Sequence, residues 1–277
     1  MYNMNNFSPN MLKTFDECQK KFFFKYIQKL SVPQPSEIFE KGKKIHALAN
    51  YYLSGENIEK LEEVLTPDEK ITWDSLKSSK YFQLNVVNTE YNLSCKIGKY
   101  WVGGRLDALV AEGTGNREQG TGEEAKRQRG KEATLPSLEI RDFGPSAREG
   151  QEVSLDIYAS EDISSHLSPL TSHFFILDYK TGNIPQNPEQ DFQTIVYLLC
   201  ADKFLNKKGG YKSLKFVYLG LKNNTEKEIL FTDNLKKQYE EKILSTCKKI
   251  DFAINSNVFQ CNKERCKTCE YIKFCDN

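Results

Sequence analysis

The sequence predicts an α/β protein with a mixed central sheet flanked by helices. Three patterns carry this prediction. Apolar residues recur at helical spacing through residues 1–75. Residues 90–110 alternate in the manner of two strands joined by a turn around Gly98, whereas residues 173–182 and 213–222 form short apolar runs typical of buried strands. A helical pattern follows each of these last two strands, which is the order of elements expected of an α/β fold.

The N-terminal helices are predicted from their boundary residues. SPNMLKTFDECQKKFFFKYIQKL, residues 8–30, starts with Ser8 as N-cap and Pro9 at the first helical position, which predicts a helix of about five turns. Residues 40–56 predict a second helix that ends near Gly55. Residues 57–72 predict a third, polar helix.

The C-terminal half follows the same logic. HFFILDYKTG, residues 173–182, predicts the central strand, and NPEQDFQTIVYLLCADKFL, residues 187–205, an apolar helix after a capping sequence. SLKFVYLGLK predicts another strand, and residues 233–255 a long amphipathic helix. We therefore expect one domain over 1–277, divided into a helical part (1–75), a core (76–111 and 173–232), an insertion (112–172) and a C-terminal helix with its cysteine segment (233–277).

The insertion differs from the rest of the chain in composition. It holds most of the arginines, namely Arg117, Arg127, Arg129, Arg141 and Arg148, and its first part has almost no apolar residue. Such a segment buries too little surface to offset the entropy of ordering, so we expect a loop with a short strand at EVSLDIYA.

Charge and hydropathy exclude several classes of protein. The chain has 39 Lys and Arg against 38 Asp and Glu, a net charge of +1, so any nucleic-acid surface must be local. We find neither a run of 18 apolar residues nor the pattern of a secretory signal, and we expect a cytoplasmic protein without a membrane segment.

Two carboxylates stand in otherwise apolar strands. Asp107 lies in GGRLDALV, and Asp178 lies two residues before Lys180 in FFILDYKTG. Because side chains alternate along a strand, Asp178 and Lys180 project from one face of the sheet. A buried aspartate and lysine either form a salt bridge or hold a ligand together, since an unpaired buried charge is costly.

Four segments together resemble the PD-(D/E)XK nuclease superfamily, in its RecB-like branch. These segments are GKKIH (42–46), GRLDAL (104–109), LDYKTG (177–182) and QTIVY (193–197). The resemblance implies a restriction-endonuclease-like fold and a divalent metal, Mg²⁺ or Mn²⁺. It implies that the metal ligands are His46, Asp107, Asp178 and the carbonyl of Tyr179. It also implies that Lys180 orients the attacking water. Gln193 and Tyr197 are implied as supporting residues. Hard cations held by carboxylate oxygens suit phosphodiester hydrolysis.

The cysteines predict a second metal centre. A protein without an export signal is a poor candidate for disulfides, and C-x2-C-x5-C near the C-terminus (Cys266, Cys269, Cys275) offers three soft ligands. Spacing alone leaves two candidates for a fourth, Cys261 in a local zinc site or Cys18 in the first helix.

Resemblance to a subset of RecB-like nucleases favours Cys18 as the fourth ligand. FDECQKKFFFKYI and CKTCEYIKFC resemble the two elements that bind a [4Fe-4S] cluster in AddB-type helicase subunits and CRISPR-associated exonucleases, which implies Cys18, Cys266, Cys269 and Cys275 as cluster ligands. The other cysteines, Cys95, Cys200 and Cys247, fit apolar patterns and are expected in the core.

The resemblance implies metal-dependent hydrolysis of DNA, as an exonuclease acting on single-stranded ends. Its nearest counterparts process DNA fragments for CRISPR spacer acquisition, with integrase proteins as partners. An alternative is a nuclease subunit, or a non-catalytic scaffold for DNA ends, in a recombination-repair helicase complex. A zinc-binding interaction protein is a third hypothesis.

Overall fold

A computed structural model describes residues 4–32, 37–112 and 172–275, and it confirms the mixed α/β architecture. Six strands form one sheet in the order β1-β3-β4-β5-β6, and β2 pairs with β3. The pairs β2–β3, β3–β4 and β5–β6 are antiparallel, and β1–β3 and β4–β5 are parallel. The strands are β1 (Asn6–Phe7), β2 (Asn85–Ile97), β3 (Tyr100–Glu112), β4 (His173–Lys180), β5 (Ser213–Gly220) and β6 (Thr225–Leu230).

Helices cover both faces of this sheet. They are α1 (Pro9–Glu17), α2 (Gln19–Phe22), α3 (Glu37–Leu53), α4 (Glu59–Glu63), α5 (Pro67–Lys77), α6 (Phe192–Lys207) and α7 (Asp233–Ser256), and the π-helical turn Phe23–Ile27 continues α2. One apolar core lies between the sheet and α1, α6 and α7, and the other between the sheet and α3 and α5. Burial of both sheet faces explains why β4 is almost continuously apolar.

The first helix is interrupted where the sequence predicts it to continue. Ser8 caps α1 as expected, with its hydroxyl accepting a hydrogen bond from the Met11 amide. The backbone of Cys18, however, is extended, and the helix resumes only at Gln19. The periodicity of residues 8–30 does not reveal the break, because the apolar positions on both sides of it face the same core.

The remaining elements differ from expectation mainly at their ends. Gly98 takes positive φ in the tight turn between β2 and β3, as predicted. The third helix is divided into α4 and α5, because Thr66 and Glu69 form a capping box that starts a new helix. The short strands β1 and β6 were not predicted, since TEKEIL is too polar to resemble a strand. The predicted strand EVSLDIYA lies outside the described residues, and no described helix is long and apolar enough to cross a membrane.

An ion-pair network anchors β6 to the rest of the sheet. Glu228 accepts hydrogen bonds from Lys215 Nζ at 2.7 Å, from Lys80 Nζ at 3.3 Å and from the hydroxyl of Tyr81. The hydrogen bonds from Lys215 and Tyr81 outweigh partial burial and lower the pKa of Glu228 from 4.5 to about 2.

We predict that Glu228→Gln lowers the free energy of unfolding at neutral pH by about 1 kcal/mol, a figure reduced for solvent screening. Because the pKa is depressed in the folded state, this stabilisation is complete above the unfolded pKa of 4.5 and is lost as pH falls towards 2. Urea unfolding of both proteins across that range should show the difference vanishing. Glu226→Gln is the control, since Glu226 only forms an exposed contact with Lys80 at 3.7 Å. A difference between Glu228→Gln and the wild type that persists at low pH would contradict the assignment.

Candidate active site

The candidate site lies where β3 and β4 separate. The last ladder pair at this end is Ala108 with Leu177, so Asp107 and Asp178 are the next residues on two neighbouring strands. Beyond that pair, Asp107 Oδ2 accepts a hydrogen bond of 2.9 Å from the amide of Tyr179. A carboxylate thus replaces the backbone carbonyl that would continue the ladder, and this fixes Asp107 at the mouth of the gap between the strands.

Helix α3 brings His46 to the same place. Its Nε2 donates a hydrogen bond of 2.9 Å to the carbonyl of Tyr179, and its Nδ1 lies 3.4 Å from Asp107 Oδ1. Because a carbonyl only accepts, Nε2 carries the hydrogen. Ile45 and Leu48 are buried beside it against the sheet and fix the position of the helix. The GKKIH segment is therefore adjacent to the two strand motifs.

Glu90 on β2 completes a compact group of three and was missed by sequence reasoning. His46, Glu90 and Asp107 each offer a ligand atom, and these atoms lie within 4.8 Å of one another. Glu90 has a φ of 47°, a left-handed conformation that is uncommon for a residue with a side chain, and Arg105 Nε contacts its carboxylate at 2.7 Å. The sequence carries no signal for Glu90, since a glutamate at the start of an alternating segment resembles a solvent-exposed one.

Asp178 occupies the other side of the gap, engaged by Lys180 and Gln193. Gln193 Nε2 donates to Asp178 Oδ1, and Gln193 Oε1 accepts from Lys180 Nζ at 2.8 Å. Lys180 Nζ also lies 2.9 Å from Asp178 Oδ2. That contact is an ion pair, and Oδ2 accepts no hydrogen bond from the described residues. Asp178 does not belong to the compact group of three.

Tyr197 supports the site from behind. Tyr197 lies one helical turn along α6 from Gln193. Its hydroxyl donates a 2.7 Å hydrogen bond to the carbonyl of Arg105 on β3. A Cβ added at Gly104 would lie only 3.1 Å from that hydroxyl, so the glycine allows the tyrosine to approach the strand. Tyr197 therefore positions the strand that carries Asp107, and its hydroxyl is directed at backbone.

The electrostatics of the site reflect crowded carboxylates. Burial, with the charge of Asp107, raises the pKa of Asp178 to about 6 against the opposing Lys180. Burial also raises the pKa of Glu90, although Arg105 opposes it. Desolvation alone would lower the pKa of His46, but its hydrogen bond to Asp107 and the charges of both aspartates raise the pKa to about 8. Negative charge in this gap is only partly neutralised by the protein.

These residues fit a hard divalent cation. They supply carboxylate oxygens and one imidazole, a donor set that suits Mg²⁺ or Mn²⁺, and the buried Asp178 Oδ2 pairs with the Lys180 ammonium but accepts no hydrogen bond from the described residues. A cation would also relieve the repulsion that raises the carboxylate pKa values.

A second group of potential ligands lies where the two ends of the described chain meet. Five cysteines line one cavity of about 80 Å³: Cys18, Cys261, Cys266, Cys269 and Cys275. The break between α1 and α2 points Cys18 into it, and the Asn262 amide lies 3.5 Å from the Cys18 sulfur. As expected, the C-terminal segment packs against the N-terminal helices, for example through Phe24 and Tyr271. Because the five cysteines line one cavity, they fit a thiolate-ligated metal or cluster.

The other three cysteines lie in the core, as predicted. Cys95, Cys200 and Cys247 are all buried within the core formed with α6 and α7. Cys95 and Cys200 form a contact pair with sulfurs 3.2 Å apart, between β2 and α6. None of them reaches the cysteine-lined cavity.

The mixed sheet and its carboxylate-rich gap fit a metal-dependent enzyme, and comparison with known proteins assigns the family. Residues 6–276 match the sequence profile of the PD-(D/E)XK nuclease superfamily, so the chain belongs to this superfamily. Membership implies metal-dependent nuclease chemistry. A comparison with curated protein sequences gives no match.

Two solved structures are similar over most of the chain. One is described as "Putative exonuclease" from Eubacterium rectale, with 9% identity, a TM-score of 0.49, and coverage of 99% of this chain and 89% of that one. The other is SSO0001, with 13% identity, a TM-score of 0.37, and coverage of 99% and 88% respectively.

Two tyrosines beside the site give a matched test of its scaffold. We predict that Tyr197→Phe lowers the free energy of unfolding by about 1 kcal/mol, because it leaves the Arg105 carbonyl without its donor. Tyr179→Phe should leave stability unchanged or raise it, since the Tyr179 hydroxyl is buried and has no partner among the described residues. Urea denaturation measures both. Equal losses in the two variants would show that removal of either hydroxyl costs the same, and that the hydrogen bond to Arg105 adds no measurable stability.

Proposed function

We propose that the protein is a Mg²⁺- or Mn²⁺-dependent DNA nuclease that acts as an exonuclease on single-stranded ends. The observation that supports this most directly is the group His46, Glu90 and Asp107, with a lysine on the other side of the same gap. The family supports the nuclease chemistry. The preference for single-stranded ends rests on the sequence resemblance to RecB-like exonucleases.

His46, Asp107, Asp178 and the Tyr179 carbonyl are the proposed metal ligands, and Glu90 is added to them. A bound divalent cation supplies charge neutralisation at the scissile phosphate and lowers the pKa of attacking water. The Asp107 carboxylate is held towards the gap by the Tyr179 amide. The Tyr179 carbonyl accepts a hydrogen bond from His46, so ligation by both requires this 2.9 Å contact to open.

Lys180 is the proposed water-orienting and charge-stabilising group. Gln193 accepts from its ammonium and donates to Asp178, so one amide fixes the relative position of the two ionisable side chains. An ammonium held in this way places positive charge where negative charge develops on the phosphate oxygens. Its side chain is about 25% exposed, which leaves it accessible to substrate and solvent.

The cysteine-lined cavity is the proposed site of an iron–sulfur cluster that ties the chain ends together. Its support is the convergence of Cys18 with the three C-terminal cysteines Cys266, Cys269 and Cys275, together with the sequence resemblance. In such a centre the cysteine thiolates hold iron and the centre acts as a structural clasp. The resemblance supports two cellular settings, CRISPR spacer acquisition beside integrase proteins and recombination repair beside a helicase.

We predict that Lys180→Ala reduces cleavage of end-labelled single-stranded DNA by at least ~100-fold with Mg²⁺ or Mn²⁺, because a preorganised charge at the phosphate is removed. Binding of the same DNA, measured by anisotropy without cleavage, should change much less. Lys99→Ala is the control, since Lys99 is exposed and pairs with Asp251 on α7. Closed circular single strands should resist the wild type if it attacks ends.

Two outcomes would decide against this mechanism. Undiminished cleavage by Lys180→Ala would remove Lys180 from catalysis. Absence of any metal-dependent cleavage by the wild type, with DNA ends still bound, would favour the alternative of a non-catalytic scaffold.

We predict that Asp107→Asn weakens Mn²⁺ binding by at least about tenfold, because it replaces a carboxylate ligand by a neutral amide of the same shape. Glu90→Gln should weaken it by a similar factor if Glu90 belongs to the ligand set. Isothermal titration with Mn²⁺ measures both. Glu112→Gln, at the far end of β3, should bind Mn²⁺ as the wild type does. Equal affinity in all four proteins would place the cation elsewhere.

A further inference from the structure

The cysteine-lined cavity contains one thiol more than a four-ligand centre needs. The sequence resemblance implies Cys18, Cys266, Cys269 and Cys275, and it leaves out Cys261. In the structure, Cys261 is the cysteine with the most thiol neighbours. Its sulfur lies 3.5 Å from that of Cys266 and 3.5 Å from that of Cys275.

We propose that the cavity can hold a single thiolate-ligated metal ion with Cys261, Cys266 and Cys275 among its ligands, and that Cys261 takes the place of Cys269 in this ligand set. This inference rests on the proposed role of the cavity as a thiolate-ligated site and is independent of nuclease activity. Sulfur atoms around a tetrahedral metal with bonds of about 2.3 Å are about 3.8 Å apart. The two sulfur–sulfur distances made by Cys261 are close to that edge, so a small opening of the group accommodates a metal between the three thiols.

The backbone around Cys261 holds it in this place. The carbonyl of Gln260 accepts a 3.0 Å hydrogen bond from the Lys20 amide, and the Gln260 amide donates to the Gln19 side chain. Asn262 donates through its side chain to the Glu17 carbonyl at 3.0 Å. Both neighbours of Cys261 are thus fixed to the break in the N-terminal helix that presents Cys18, so Cys261 cannot leave the cavity without breaking these contacts.

Cys269 differs from Cys261 in its contacts. It lines the cavity, but no thiol of the described residues lies within hydrogen-bonding distance of its sulfur, whereas Cys261 makes two such contacts. The chain near Cys269 is a tight turn in which its amide donates to the Cys266 carbonyl at 3.1 Å. Cys269→Ser is therefore a matched comparison for Cys261→Ser, because both remove one thiol from one cavity.

The test measures bound metal and thiolate ligation in the full chain, not activity. The wild type, Cys261→Ser, Cys266→Ser, Cys269→Ser and Cys247→Ala are purified without oxygen, and iron and zinc per chain are determined by mass spectrometry. Each protein is then made metal-free and titrated with Co²⁺, whose thiolate charge-transfer absorption counts sulfur ligands. Cys247→Ala removes a thiol outside the cavity. Circular dichroism of the metal-free proteins shows whether each variant is folded.

We expect Cys261→Ser to lose metal as Cys266→Ser does and to bind Co²⁺ at least about tenfold more weakly, with charge-transfer intensity near three quarters of the wild type. Cys247→Ala should match the wild type. Metal content and Co²⁺ spectra of a folded Cys261→Ser that equal the wild type, with Cys269→Ser depleted, would overturn the inference. A wild type without thiolate-bound Co²⁺ would overturn the inference, and one purified without bound iron would overturn the proposed cluster, even where nuclease activity is intact.

Discussion

The hydrogen bond from the Tyr179 amide to the Asp107 carboxylate is the contact on which the candidate site depends. It ends the ladder between β3 and β4 with a side chain instead of a carbonyl, so the strands part without leaving the amide unsatisfied. The gap exposes the Tyr179 carbonyl, and His46 donates a hydrogen bond to it. Because the Asp107 carboxylate takes the place of a backbone acceptor, the strands part and a carboxylate lies in the gap. The Tyr179 carbonyl then fixes the position of α3 through His46.

The two sides of this opening carry different functional groups because they are held by helices on different faces of the sheet. His46 comes from α3 on one face of the sheet, and Gln193 from α6 on the other, where it holds Asp178 and Lys180. Helix α6 also reaches the first side, because Tyr197 donates to the Arg105 carbonyl on the strand that carries Asp107. The carboxylate–imidazole group and the lysine are thus fixed mainly from opposite faces of the sheet, and they meet at the ends of the strands. This arrangement suits a reaction in which a metal and an ammonium must act on one phosphate from different directions.

The sequence alone predicts those parts of this site that local periodicity determines. Asp178 and Lys180 project together because a strand has a period of two, and the apolar run around them identifies a central strand. Glu90 was not predictable, since its place beside Asp107 depends on the pairing of β2 with β3 and on its own left-handed backbone. The extended residue Cys18 was missed for a related reason. Its sulfur contacts the Asn262 amide at 3.5 Å, 244 positions along the chain, and helical periodicity carries no information about such a contact.

The joining of the chain ends explains why that break in the N-terminal helix is tolerated. An uninterrupted helix would carry the Cys18 sulfur along the helix surface, whereas the extended residue directs it into the cavity and leaves the Lys20 amide to bond the Gln260 carbonyl. Closing a loop of this length costs little more entropy than closing one half as long, and the Lys20–Gln260 and Asn262–Glu17 hydrogen bonds help to offset that cost. Helix α1 packs onto the sheet through Leu12 and Phe15, and Lys13 of α1 pairs with Asp191, the N-cap of α6. The helix that carries Gln193 is therefore connected to the cysteine-lined cavity through a single intervening helix, so a change of packing at the cavity has a short physical route to the candidate active site.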